Sequence, residues 1–183
     1  MNISYKWLKK YINLDIEPTE VSKILTSIGL EIDGMEEIQS IKGGLEGLVV
    51  GQVLECEPHP NSDHMHITKV DVGNGEEPIK IVCGASNCRK GIKTIVATIG
   101  TKLYDGDKEI VIKKSKLRGE DSYGMLCAED EIGVSTNHAG IIELPEDTKI
   151  GTPAKEYYHI ENDALFVVDI TPNRIDAASH FGV

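Results

Sequence analysis

The chain has 183 residues, a net charge of −11 and 40% hydrophobic residues, a composition typical of a globular protein. It contains no apolar stretch near the roughly 20 residues of a membrane span and no secretory signal, so we expect a cytoplasmic protein with reduced cysteines and no membrane contact. The acidic balance argues against a general binder of nucleic acids, DNA included. Any contact with RNA must therefore come from a local cluster of basic residues.

Two helices and a strand are predicted in the first 38 residues. Ser4 is a suitable N-cap for a first helix, with Pro18 at the first turn of a second. The apolar face of the first helix comprises Trp7, Leu8, Tyr11 and Ile12, and that of the second comprises Val21, Ile24, Leu25 and Ile28. Gly29 is expected to end the second helix, and residues 30–38 to form a strand.

The middle of the chain predicts a small β-barrel. Of the 18 glycines, fifteen lie between Gly43 and Gly151. The predicted strands are residues 48–56, 66–72, 78–83, 94–99, 109–117 and 123–127, separated by turn sequences at 59–61, 73–75, 84, 105–107 and 119. This spacing is typical of an oligonucleotide-binding (OB) barrel with extensions. Lys113 and Lys114 interrupt the alternation set by Ile110 and Ile112, which indicates a bulge or a strand end there.

The pattern changes again after residue 151. Residues 164–170 are predicted to form a strand and residues 171–174 a turn. Asp176 is predicted to be the N-cap of a helix, of which only the first turns are present before the sequence ends at Val183. We therefore expect the natural chain to continue. Pairing of 31–38 with 164–170 would make the fold class α/β plus all-β. A five-stranded OB-like barrel (40–152) would then be inserted in a discontinuous small α+β domain formed by 1–39 and 153–183.

Two basic clusters, at residues 87–93 and 113–118, could form one track for a phosphate backbone. The alternative is that both are solvated strand ends. The barrel contains no Phe or Trp, and its aromatic residues are Tyr104 and Tyr123, so it lacks the stacking platform of single-strand binders. If RNA binds, we expect contacts with the shape, backbone and 2′-hydroxyls of folded RNA.

Other chemistries find little support. Zinc sites usually combine short paired spacings, whereas this chain has one Cys83-x₄-Cys88 and a histidine pair, His64 and His66, which favours a polar barrel rim over a metal site. A nucleophile elbow and a G-x-x-x-x-G-K phosphate loop are both absent from the sequence. The residues therefore predict no catalytic group.

Several motifs resemble the tRNA-binding barrel shared by synthetase-associated proteins. They are, in order, VGQV (50–53), EPHPNSD (57–63), KVDVG (69–73), IVCGASN (81–87), KLRG (116–119), SYGMLC (122–127) and GIIELP (140–145). Ser62, His64, Met65, Ser86 and Ala128 depart from the residues common at their positions. His64 stands where a basic residue is frequent, which weakens the expected RNA contact.

The flanking segments resemble one member of that group, the bacterial phenylalanyl-tRNA synthetase β-chain family. They are ISYKWL (3–8), LTSIGLE (25–31), DITPNRID (169–176) and SHFGV (179–183). The resemblance implies part of an ATP- and Mg²⁺-dependent ligase that charges tRNA(Phe) as an α₂β₂ tetramer with an α chain. In that family the aminoacylation site is on the α chain and the β-chain editing site lies beyond this segment. This segment is expected to be non-catalytic and to hold no cofactor itself.

Three interpretations stay open. The barrel contacts tRNA(Phe), it is a structural module with little RNA contact, or the chain is a free-standing tRNA-binding protein, which the flanks disfavour. For the first, the predicted RNA-binding residues are Asn87, Arg89, Lys93, Lys113, Lys114, Lys116, Arg118, Ser122 and Met125. The basic groups would meet phosphates, while the resemblance implies the roles of Ser122 and Met125.

Overall fold

A computed structural model describes residues 1–106 and 108–183 of the chain. In chain order the elements are β1 (Asn2–Ser4), α1 (Tyr5–Leu8), α2 (Pro18–Ser27), β2 (Glu31–Gln39), β3 (Leu48–Pro58), β4 (His66–Asp71), β5 (Ile79–Cys83), β6 (Lys93–Thr98), β7 (Lys102–Asp105), β8 (Lys108–Val111), β9 (Ser115–Leu117), β10 (Glu120–Ser122), β11 (Gly124–Leu126), α3 (Ala154–Tyr157), β12 (Asn162–Asp169) and a 3₁₀ helix (Ile175–Ala177). Within the described residues, no helix is long and apolar enough to cross a membrane.

The chain forms two compact units. The first combines Met1–Ser40 with Glu161–Val183, and the second is continuous from Ile41 to Ile160. The sequence predicted the second boundary at 152/153, eight residues too early. The reason is that α3 belongs to the barrel unit, where Ala154 is fully buried in the barrel core and Tyr157 packs against it.

The first unit is a three-stranded antiparallel sheet, ordered β1-β12-β2, whose core contains Ile3, Leu25 and Phe166. Strand β12 pairs with β2 from Asn162↔Gln39 to Asp169↔Glu31, which confirms the predicted pairing of the two ends of the chain. Gly29 ends α2 with φ +87°, as predicted.

The helices of this unit are smaller than predicted. Ser4 Oγ accepts the N–H of Trp7 at 3.0 Å, so the cap is present, but α1 ends at Leu8 after one turn. Ile24 and Ile28 of the predicted α2 stripe are exposed, since the core takes Val21 and Leu25. Asp176 is not an N-cap, because it lies inside a single 3₁₀ turn where it pairs with Arg174.

The second unit is built on a five-stranded antiparallel sheet with the order β11-β6-β3-β4-β5. Two hydrogen bonds link the edge strand β5 to the residues that directly precede the other edge strand, β11. Tyr123 N–H donates to Lys80 O at 2.9 Å, and Val82 N–H donates to Ser122 Oγ at 3.1 Å. The sheet is therefore nearly closed, which confirms the predicted OB-like barrel.

The fifth predicted strand region, 109–117, is divided into β8 and β9 by residues 112–114, which confirms a strand end at Lys113 and Lys114. Strands β7 and β10 were not predicted. Strand β7, of four residues, pairs with β8, and β10, of three residues, pairs with β9. Strands of this length are too short to show a recognisable alternation of polar and apolar residues. The predicted turn at 105–107 includes Asp107, which lies outside the described residues.

The space around Gly51 shows how tightly the barrel is packed. A Cβ at this position would lie 2.6 Å from Val96 Cγ2 and 3.1 Å from Asp71 O, whereas a Cβ at Gly84 would meet no heavy atom within 4 Å. We expect Gly51→Ala to destabilise the chain by about 1–3 kcal/mol through overpacking and Gly84→Ala to change little. Urea unfolding followed by circular dichroism measures both, and equal midpoints for the two variants would contradict this packing.

Candidate nucleic-acid interface

Asn87 and Arg89 are occupied by internal bonds. Asn87 Nδ2 donates to Ile141 O at 2.8 Å and to Glu143 Oε1 at 3.0 Å, while its Oδ1 accepts the N–H of Ile141 at 3.0 Å. Arg89 forms a bidentate pair with Glu143, with N–O distances of 2.9 and 2.7 Å. These two residues therefore hold the 141–143 segment against the β5–β6 loop, and the Arg89 charge is neutralised.

The Lys93 ammonium also forms hydrogen bonds within the chain. Its ammonium donates to Glu146 O at 2.5 Å and to Thr148 O at 2.6 Å, which fixes the turn that follows Pro145. Because these acceptors are neutral carbonyls, the positive charge of Lys93 is not cancelled. A phosphate would nevertheless have to compete with both bonds for the ammonium.

Ser122 and Met125 serve the closure of the barrel. The Ser122 side chain is 1% exposed, accepts the N–H of Val82 and donates to Gly124 O at 3.1 Å. Met125 lies on β11 opposite Ala97 and packs against the barrel core. Ser122 has no free donor for RNA, and Met125 offers only the half-buried edge of its side chain.

The remaining four predicted residues lie in the segment 113–118. Lys113 and Lys114 directly precede β9, Lys116 lies on β9, and Arg118 lies in the turn of the β9–β10 hairpin. Lys114 Nζ lies 2.9 Å from Asp121 Oδ2 and 4.8 Å from the centre of the Tyr123 ring. This pairing raises the pKa of Lys114 and lowers that of Asp121.

Lys113 and Lys116 differ from the other predicted cations. Both are exposed, and neither ammonium forms an ion pair or hydrogen bond with any residue in 1–106 or 108–183. Since no bond has to be broken for them to meet a phosphate, they are the most available positive charges of the predicted set.

The turn of the hairpin is held by the β3–β4 loop. Arg118, with φ +48°, donates from Nη1 to Asn61 O at 3.2 Å, and Asn61 Nδ2 donates back to Arg118 O at 3.3 Å. The buried His59 ring contacts Leu117 O through Nε2 at 3.2 Å, and its Nδ1 accepts the N–H of Asn61 at 3.0 Å. Both ring nitrogens of His59 are therefore used in this arrangement. The turn of the hairpin is therefore held in place by hydrogen bonds to the β3–β4 loop.

Within the described part of the chain, no hydrogen bond or ion pair joins this hairpin to the 87–93 cluster. The hairpin instead connects to β5 through Lys80 and Glu120, 2.5 Å apart, an interaction that lowers the pKa of Glu120. No group of three or more His, Cys, Asp or Glu side chains among residues 1–106 and 108–183 has an arrangement suited to a metal ion.

A family model described as "Putative tRNA binding domain" matches residues 48–153, more than half of the chain. The chain belongs to this tRNA-binding domain family.

Relatives of the whole chain are found in bacteria. It is 64% identical over its full length to the phenylalanine–tRNA ligase beta subunit of Bacteroides fragilis and 59% identical to that of Porphyromonas gingivalis. The chain spans 22% of the length of each of these relatives. Among solved structures, a MetRS-related protein from Pyrococcus horikoshii aligns with 57% of this chain and 85% of its own, at 24% identity and a TM-score of 0.41.

Within the tRNA-binding domain, sequence reasoning located the basic residues but missed their partners. Glu143 lies 54 residues from Arg89 in the chain, and no local spacing connects the two. Asp121 faces Lys116 across the hairpin and pairs with Lys114; it was missed because β10 was not predicted. The charge pattern alone therefore overstated the number of available cations.

The Glu143 network predicts a pH-dependent stability. Arg89, with Asn87, lowers the pKa of Glu143 to about 2, below its ordinary value of about 4.3. Because the folded-state pKa is the lower one, the carboxylate's contribution is complete above pH 4–5 and is lost as the pH falls towards 2. We expect Glu143→Gln to lower the urea midpoint at pH 7, with the difference from wild type shrinking between about pH 5 and pH 2.

Glu77→Gln provides the control, because Glu77 is exposed and forms no ion pair within the described residues. Its midpoint should follow wild type at every pH. A Glu143→Gln difference that stays constant from pH 7 to pH 2 would show that the carboxylate charge is not what holds this network.

Proposed function

We propose that this chain is the N-terminal part of the β subunit of a phenylalanine–tRNA ligase. The whole ligase, with its α chain in an α₂β₂ tetramer, would attach phenylalanine to tRNA(Phe) in the cytoplasm using ATP and Mg²⁺. Identity of 64% over the entire chain to a beta subunit of that name supports this proposal.

This part of the ligase is proposed to be non-catalytic. The described residues bring no metal-binding group together, and the sequence has no phosphate loop, so the residues here do not fit Mg²⁺ or ATP. We therefore assign both to the remainder of the ligase and derive no step through them.

The proposed role of the barrel is to contact the backbone of tRNA(Phe) through the β9–β10 hairpin. The observation that carries this role is the availability of Lys113, which precedes β9, and of Lys116, which lies on β9 next to the turn that His59 and Asn61 hold in place. Folded RNA offers closely spaced phosphates to such a fixed group of cations, and binding releases their counterions.

The alternative, a structural module with little RNA contact, is favoured by a different set of observations. Asn87, Arg89, Lys93 and Ser122 all bond within the barrel, and the chain carries a net charge of −11. A free-standing tRNA-binding protein is disfavoured, because the similarity to ligase beta subunits covers the full chain and not the barrel alone.

Salt dependence of binding separates the two roles. For the 183-residue chain and transcribed tRNA(Phe), we expect Lys113→Gln/Lys116→Gln to reduce the magnitude of the slope of log K against log salt by about 1.8, since each lost phosphate contact on a duplex contributes about 0.9. The matched control is Lys102→Gln/Lys155→Gln, which removes the same charge from lysines paired with Glu109 and Glu46.

The control should leave the slope within error of wild type. If both double variants change the slope equally, the effect is one of net charge and the hairpin is not the contact. If neither changes it, the barrel is a structural module.

A further inference from the structure

Cys56 and Cys88 lie next to each other in the barrel unit. Cys56 is on β3, and Cys88 is in the loop between β5 and β6. Their Sγ atoms are 4.0 Å apart, and the Cys56 thiol also donates to Cys88 O at 3.7 Å. Both contacts join the Cys56 side chain to the same loop residue. The proposed RNA contact uses neither thiol.

Hydrogen bonds hold the β5–β6 loop against β3 and fix this approach. Gly91 N–H donates to Val53 O at 2.7 Å, and Val53 N–H donates to Ile92 O at 2.9 Å. The Gln52 side chain adds a bond from Nε2 to Gly91 O at 3.3 Å. A disulfide has an S–S length of about 2.05 Å, so the two sulfurs have to approach by about 2 Å. Rotation about the two Cα–Cβ bonds supplies a movement of this size while the backbone bonds stay in place.

The two thiols differ in their access to solvent. Cys56 is half-buried, whereas Cys88 is 6% exposed and borders an apolar core cluster. The other two cysteines are also buried, since Cys83 is 7% exposed and Cys127 is fully enclosed. Cys56 is therefore the thiol that a small molecule in solution reaches most readily. Cys88 is the thiol placed to react with whatever Cys56 has bound.

We propose that Cys56 is a modification site for small disulfides and that Cys88 is its resolving thiol. The Cys56 thiol loses its proton to water, and the thiolate attacks one sulfur of a disulfide such as oxidised glutathione. The S–S bond of the reagent breaks, and one glutathione leaves as a thiolate that takes up a proton. Cys56 then carries the other glutathione through a mixed disulfide.

Cys88 completes the exchange. Its thiolate attacks the Cys56 sulfur, forms the Cys56–Cys88 disulfide and releases the second glutathione, which takes up the proton that Cys88 lost. Two protein thiols are oxidised and one disulfide is reduced to two thiols, so electrons and protons balance. Because Cys88 is buried, which disfavours its thiolate, this second step is the slower one. In a reducing compartment the bond is transient and responds to the glutathione poise.

The test is incubation of the reduced chain with oxidised glutathione, followed over time by mass spectrometry of peptides. Wild type should first carry glutathione on Cys56 and then convert to the Cys56–Cys88 disulfide. Cys88→Ser should stop with glutathione retained on Cys56. Cys56→Ser should react at least about tenfold more slowly than wild type, because its remaining thiols are buried. The matched control is Cys83→Ser, which removes a buried thiol of the same core cluster and should react as wild type does.

A Cys83–Cys88 disulfide as the main product, a wild-type rate for Cys56→Ser, or no reaction of the wild type would overturn the proposal. Circular dichroism establishes whether each serine variant folds. If Cys56→Ser does not, limited alkylation of the reduced wild type with iodoacetamide decides. Labelling of Cys56 first, with loss of the disulfide product in the labelled chain, supports the proposal. Labelling of Cys83 or Cys88 first, or a disulfide that still forms in the labelled chain, overturns it.

Discussion

The closure of the barrel between β5 and the β10–β11 segment is the constraint on which the rest of this unit depends. A single buried hydroxyl completes it, because Ser122 accepts the N–H of Val82 and donates to Gly124 O. Leaving a buried backbone donor without a partner costs about 1–3 kcal/mol, so the hydroxyl can be replaced only at a substantial loss of stability. Its two hydrogen bonds also fix where the chain leaves β10 and enters β11.

That closure determines where the cations can be. Because Ser122 ends β10, the β9–β10 hairpin must stand beside β5, where Lys80 pairs with Glu120 and the β3–β4 loop reaches the turn through His59. The closure therefore positions the proposed RNA contact, although Ser122 is not itself part of that contact.

The acidic balance of the chain acts through specific pairs. In residues 39–152, acidic groups outnumber basic ones 18 to 13. Arg89 and Lys114 are each matched to an acid, and exposed pairs of this kind contribute little to stability. Their larger effect is on the surface field: they confine unpaired positive charge to a few positions and disfavour non-specific binding of polyanions.

Much of the fold could be predicted from the sequence, because strands β3 to β6 each run for five or more residues rich in β-branched side chains, and proline or glycine marks the turns between them. The short strands β7 and β10 could not, since their pairing depends on partners and not on their own pattern. The same limit applied to the site. The residues of the basic clusters are visible in the sequence, but whether Arg89 is free depends on Glu143, which reaches it only after the barrel has formed.

The central claim is that RNA contact is confined to residues 113–118, which include β9 and the turn of its hairpin, while the other predicted residues hold the barrel together. Lysine acetylation with and without bound tRNA(Phe), quantified by mass spectrometry of the chain, tests it most directly. Lys113 and Lys116 should be protected several-fold by tRNA. Lys93, bonded to Glu146 O and Thr148 O, and Lys155, paired with Glu46, should be acetylated equally in both states. Protection of Lys93 without protection of Lys113 and Lys116 would contradict the claim.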